Sequence, residues 1–141
     1  MDQKIAPLSA EDILRVEKHR QWVQSFFDAR GASYGTVQDK LDLIGAILNS
    51  NSIGAEETWK LQSLGIVFGD ALAQELGLIW VAIDDEYGRD PALSVRGTSI
   101  LSFPLTSISK RIERGEAVDV FRLFEAACHT IEDLKHRNKS H

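Results

Sequence analysis

The stretch Leu76-Gly77-Leu78-Ile79-Trp80-Val81-Ala82-Ile83-Asp84-Asp85-Glu86-Tyr87-Gly88-Arg89-Asp90-Pro91 decides the fold. Gly77 stands where a helix would end, because only glycine takes a left-handed C′ position without steric cost. Leu78 to Ile83 is apolar at every position, which predicts a strand covered on both faces. Asp84 to Asp90 then reads as a charged turn. The sequence continues with Pro91-Ala92-Leu93-Ser94-Val95 and Ser99-Ile100-Leu101-Ser102-Phe103, two short strands joined at Arg96-Gly97. Connections this short predict an antiparallel meander of three strands.

Upstream, the pattern is helical. Ser9 with Asp12 forms a capping signature, and Ile13, Val16, Val23, Phe26 and Phe27 recur at helical spacing, so a first helix is predicted over 10–30 with Gly31 as its stop. Thr36 with Asp39 repeats the signature ahead of Leu41, Ile44, Ile47 and Leu48. A third helix starts near Gly54–Glu57 and carries Leu61, Leu64, Val67, Phe68, Ala71, Leu72 and Leu76. Its other face holds Gly65, Gly69 and Ala73 at intervals of four. Interior glycines cost a helix about 1 kcal/mol each relative to alanine, so the row predicts close packing of another backbone. Downstream, Pro104 opens a fourth helix through Ile108 and Ile112 that closes at Gly115. Asp119 caps a fifth, with Val120, Phe121, Phe124, Ala127, Cys128, Ile131 and Leu134 on its apolar face. The predicted class is α+β: three N-terminal helices, a three-stranded antiparallel meander and two C-terminal helices packed on one core.

At 141 residues one domain is expected over 1–141, since two would each be too small for a good core. Residues 1–8 and 136–141 are expected to be loose termini. No apolar run approaches the roughly 20 residues needed to span a bilayer, and Met1 to Pro7 lacks the apolar core of a signal peptide. Cys128, the single cysteine, has no internal partner for a disulfide. A cytoplasmic protein without a membrane partner is expected. The net charge of −5 argues against nucleic acid as a partner. Lys135 to Lys139 is a basic stretch without aromatics and reads as a solvated helix end.

The candidate functional surface is Asp70, Asp84, Asp85, Glu86, Tyr87, Arg89, Asp90 and Arg96. The acids of the turn offer oxygen ligands of the kind Mg²⁺ and Ca²⁺ prefer, but their spacing is not that of a calcium loop. Arg89 or Arg96 is expected to pair with one or two of them. Asp70 is expected to face Arg89, Arg96 or Arg111 and so to fix the hairpin on the third helix. His19, His129, His136 and His141 lack metal-ligand spacing, and His19 and His129 are expected at or near the surface of their helices. Trp80 reads as core, and Cys128 as a small core residue. No nucleophile elbow, phosphate loop or cofactor signature is present, so neither a catalytic residue nor a cofactor is expected.

Three blocks together resemble a known family: Leu64 through Val81, Asp84 through Leu93, and Phe103-Pro104-Leu105-Thr106 with Ser109 through Glu113. They are similar to the bacterial domain-of-unknown-function family numbered 3806 over about residues 55–125. Gly69, Asp70, Trp80, Asp85, Tyr87, Gly88, Pro91 and Pro104 carry the match. The resemblance implies a small α+β domain in a bacterial protein; it transfers no activity and no catalytic residue. The expected function is a non-enzymatic interaction module, an adaptor or an immunity-like protein that meets an unknown protein partner through the acidic hairpin. A small enzyme or a ligand- or divalent-metal-binding domain built on Asp70 and the Asp84–Asp90 turn is the alternative. A homodimer through an apolar helix face is a third.

Overall fold

A computed structural model describes residues 4–26 and 34–139. In chain order these residues form β1 (Lys4–Pro7), α1 (Ala10–Phe26), α2 (Val37–Asn49), α3 (Thr58–Leu76), β2 (Ile79–Asp85), β3 (Gly88–Ser94), β4 (Leu101–Ser102), α4 (Ser109–Glu113) and α5 (Val120–Lys139). The fold is α+β. The extension of the first helix through Phe27 to residue 30, and its stop at Gly31, lie outside the described residues.

Among the described residues the sheet has four strands, not three, in the order β1-β2-β3-β4, and each neighbouring pair is antiparallel. The added strand is Lys4–Pro7, expected to be a loose terminus; it pairs with β2 from Lys4↔Asp84 to Pro7↔Val81. β2 is therefore an inner strand, as its unbroken apolar run requires. Turn Asp84–Asp90 is also shorter than expected. Asp84 pairs across from Arg89 and Asp85 from Gly88, which leaves Glu86-Tyr87 as the loop. The Asp84–Arg89 carboxylate–guanidinium pair at 3.6 Å suits a cross-strand position, so the ladder runs on into the charged segment. At the other end of the chain, α5 continues to Lys139.

Pro91 lies within β3, where a missing N–H would break a central ladder. The backbone N–H of Val95 donates to Ile100 O, so Val95 and, by alternation, Leu93 and Pro91 direct their backbone groups toward the β4 side. β4 spans only Leu101–Ser102, opposite Ser94 and Leu93, and does not reach Pro91. The proline nitrogen thus faces a stretch with no neighbouring strand among the described residues. α1 occupies that flank: the Arg15 guanidinium donates to the outward Arg89 carbonyl at 3.0 Å.

The main core joins α2, α3 and α5 through Leu41, Ile44, Ile47, Leu61, Leu64, Phe68, Leu72, Phe124 and Ile131, with Leu93 contributed by the sheet. All three expected N-caps form, Asp119 Oδ1 accepting from Phe121 N and Arg122 N at the start of α5. Ser9 and Asp12 exchange reciprocal backbone-to-side-chain hydrogen bonds, as do Thr36 and Asp39, and Gly77 ends α3 at φ 68°. Val81, Ile83 and Ala92 form a separate cluster on the far sheet face with Ile79 and Leu101, and no helical residue among those described joins it.

The row of small residues on α3 is where the chain after β4 crosses it. A 3-10 turn, Pro104–Thr106, takes the place of the first part of the expected fourth helix. A Cβ at Gly65 would fall 2.6 Å from Pro104 O and closer still to Leu105 O; one at Gly69 would fall 2.5 Å from the Trp80 ring. Real Cβ contacts are longer than these, and at Gly65 the obstacle is backbone. Gly65→Ala is expected to lower stability by about 1–3 kcal/mol despite its better helix propensity, measured by urea unfolding. A more stable Gly65→Ala protein would show that the crossing chain yields freely.

Candidate functional site

Asp70 lies on α3 with its side chain 11% exposed. Its two oxygens are met by four donors. Arg20 gives Nε to Oδ2 at 2.6 Å and Nη2 to Oδ1 at 2.8 Å, Trp80 gives Nε1 to Oδ1 at 3.0 Å, and the Tyr34 hydroxyl donates to Oδ2. A carboxylate offers about four acceptor positions, and here all are taken. Asp70 therefore joins α1, the segment before α2, and β2. The expected partners Arg89, Arg96 and Arg111 are not involved. Arg89 is held in the hairpin, Arg96 in the β3–β4 connection and Arg111 in α4, whereas the α1–α3 packing brings Arg20 alongside Asp70.

The surroundings hold the same geometry. Glu17 accepts from Arg20 Nη1 at 2.5 Å. Lys40, 6% exposed, donates to Tyr34 O at 2.8 Å and to Gln74 Oε1 at 2.6 Å, while Gln74 Nε2 donates to Gly35 O. The Asp70 hydrogen bond, foremost, raises the Arg20 pKa above its usual value. Burial first, then the Asp70 charge, pushes the Tyr34 phenol well above its normal range, so it stays a donor. Loss of the carboxylate would leave a half-buried guanidinium, a phenol and an indole N–H without their acceptor. Asp70→Ala is expected to cost about 3 kcal/mol in chemical denaturation, against about 1 kcal/mol or less for Glu17→Ala at the edge of the network. Equal effects would remove Asp70 from its central place.

The hairpin charges are mostly paired within the molecule. Asp12 Oδ2 accepts from Arg89 Nη2 at 2.7 Å, and Arg89 Nε lies 3.0 and 3.1 Å from the two Asp12 oxygens. This bond, the largest cause, holds the Asp12 carboxyl well below the usual carboxylate range. Arg15 reaches Asp90 Oδ1 at 3.2 Å, and Asp85 Oδ1 accepts the Tyr87 backbone N–H at 2.9 Å. Arg96 stands apart, exposed in a cleft with Lys135 and Asn138 near the end of α3. Glu86 is exposed at the hairpin tip beside Tyr87, which is 89% exposed. The candidate residues thus separate into a buried junction (Asp70), a paired hairpin base (Asp84, Asp85, Arg89, Asp90), an open tip (Glu86, Tyr87) and a distant cation (Arg96).

His19, expected at the surface, is 1% exposed. Its Nδ1 lies 2.7 Å from Ser63 Oγ, whose hydroxyl donates to Trp59 O, so Nδ1 carries the proton; the ring stacks on Trp59 at 4.5 Å. Desolvation, then the Arg15 charge, lowers its pKa from 6.5 to about 4. Ser63 is fully buried, so this serine–histidine pair has no substrate face. Cys128 is half-buried, and desolvation raises its thiol pKa. Among the described residues no group of His, Cys, Asp and Glu could hold a metal ion, and no helix is long and apolar enough to cross a membrane.

Because the unfolded chain takes up the His19 proton near pH 6.5 and the folded chain only near pH 4, stability is expected to fall as pH drops through that window. The slope is up to about 1.4 kcal/mol per pH unit. His19→Gln, followed by urea unfolding from pH 7 to pH 4, is expected to flatten it; an unchanged slope would assign it to other groups.

With this geometry in place, comparison with known proteins gives one assignment. The chain belongs to the DUF3806 family, a domain of unknown function, whose model matches residues 40–124. A crystal structure of a protein from Bacteroides thetaiotaomicron, determined at 1.50 Å, has the same fold, with a TM-score of 0.78 at 17% identity over 90% of this chain. The match covers 47% of that protein, so the chain spans about half its length. No curated protein matches.

Proposed function

We propose that this domain is a non-enzymatic protein-interaction module, an adaptor or immunity-like protein, that meets its partner with the tip of the β2–β3 hairpin. One observation carries the reading: Tyr87 is 89% exposed at the end of a hairpin whose base charges Asp84, Arg89 and Asp90 are already paired internally. A large amphipathic ring presented on a braced support suits a contact, because tyrosine supplies area at low entropic cost. The internal pairing shifts the emphasis within the surface. Asp84, Asp85 and Asp90 shape the hairpin, and Tyr87 with Glu86 meets the partner. A cytoplasmic setting fits the single cysteine, and a bacterial source fits the fold shared with the Bacteroides protein.

The alternative built on Asp70 as a general base draws no support from its geometry, since its acceptor positions are filled. The hairpin reading is tested by affinity capture from the source cells using wild-type protein, Tyr87→Ala, Asp85→Lys and the remote control Arg137→Ala. A partner held by wild type and the control but bound at least about tenfold more weakly by Tyr87→Ala is expected. Retention of every partner by Tyr87→Ala, or recovery of none by wild type, would refute it.

A further inference from the structure

We propose that the groove between β4 and α5 is a second binding site, which takes an extended peptide segment of a partner protein by strand addition to β4. The segment would be apolar at alternate positions and would carry a carboxylate facing Arg111. This goes beyond the hairpin surface and does not depend on it.

Three features of the groove point to that occupant. The first is a free strand edge. Among the described residues β4 is the last strand of the sheet, and Val95 N donates to Ile100 O. In an antiparallel ladder the next pair, Ser94↔Leu101, is the one without mutual hydrogen bonds, so Leu101 directs its N–H and C=O away from β3. Among the described residues no hydrogen bond outside the ladder involves either group. Such an edge is a template for another strand.

The second is an apolar wall at the right place. The cleft beside Leu101 and Ser102 has a volume of about 260 Å³ and is lined from α5 by Leu123, Ala127, Ile131 and Leu134. These recur along one helix face, and Leu134 is 37% exposed. An added strand directs alternate side chains to one side, where this wall would cover them.

The third is a cation without a counter-charge. Arg111 is the charged residue of the lining; it is half-buried and donates from Nη1 to Ser107 O at 2.8 Å. No carboxylate among the described residues pairs with it. The other half-buried arginines, Arg15, Arg20 and Arg89, each have an acid. A guanidinium left this way in an apolar groove favours a ligand that brings its own carboxylate.

The test uses the full chain and a fluorescein-labelled synthetic peptide of about six residues, alternating valine and threonine and ending in aspartate. Saturable binding by fluorescence anisotropy is expected, weakened about tenfold by Arg111→Glu. A matched peptide ending in a lysine amide should show the reverse preference. Leu101→Pro removes the outward N–H without touching the β3–β4 bonds, so it should abolish binding; Leu101→Ala, which gives up the same packing on the far-face cluster but keeps the N–H, should still bind. Tyr87→Ala should bind the peptide as wild type does, which separates this site from the hairpin. Absence of saturable binding at millimolar peptide, or binding that survives both Leu101→Pro and Arg111→Glu, would overturn the proposal. So would a dimer in sedimentation that Leu101→Pro dissolves while no peptide binds, since a second copy would then occupy the groove.

Discussion

A single carboxylate holds four donors from three separate parts of the chain, and the arrangement of α1, α3 and the sheet follows from it. Asp70 is 11% exposed, and a buried carboxylate is costly unless it is paired; Arg20 meets it with two parallel N–H groups, and Trp80 and Tyr34 fill the remaining positions. Each donor is itself placed by packing. Trp80 lies across Gly69, one residue before Asp70, and a Cβ there would collide with its ring. Helix packing, strand position and hydrogen bonding are therefore one constraint: Gly69 admits the indole that Asp70 accepts.

The same helix α1 that supplies Arg20 also braces the hairpin. Asp12 serves at once as the capping carboxylate for Ser9 and as the acceptor for Arg89, and Arg15 covers the outward Arg89 carbonyl. α1 thus stands where a longer β4 would otherwise lie against the first half of β3. The result is a hairpin held rigidly at its base with an aromatic residue free at its tip. Rigid support lowers the entropy lost when such a residue is buried by a partner.

Local signals in the sequence located most of the elements. The reciprocal caps at Ser9–Asp12 and Thr36–Asp39, the left-handed Gly77 and the apolar run of β2 each depend on neighbours within a few residues. The Gly65–Gly69 row announced a close approach, though not what approaches. β1 was missed because Lys4-Ile5-Ala6-Pro7 is short, ends in proline and has no alternation of its own; its place depends on β2 having an open edge. The partner of Asp70 lies fifty positions away and had several competing arginines, a choice only helix packing resolves. His19 was legible in part: it shares a stripe with Val16 and Val23 at intervals of three and four, but its burial depends on Trp59 and Ser63, forty positions and more away on α3.

An Asp70 that organises structure and a Tyr87 that meets a partner make different demands on the same small fold, and the first can be measured without knowing the partner. The direct test is a double-mutant cycle between Arg20→Gln and Tyr34→Phe, each variant followed by urea unfolding. The two side chains come from different segments and meet through Asp70, so their effects should couple by more than about 0.5 kcal/mol. Additive effects would show that Arg20 and Tyr34 act independently and would contradict Asp70 as the junction of the fold.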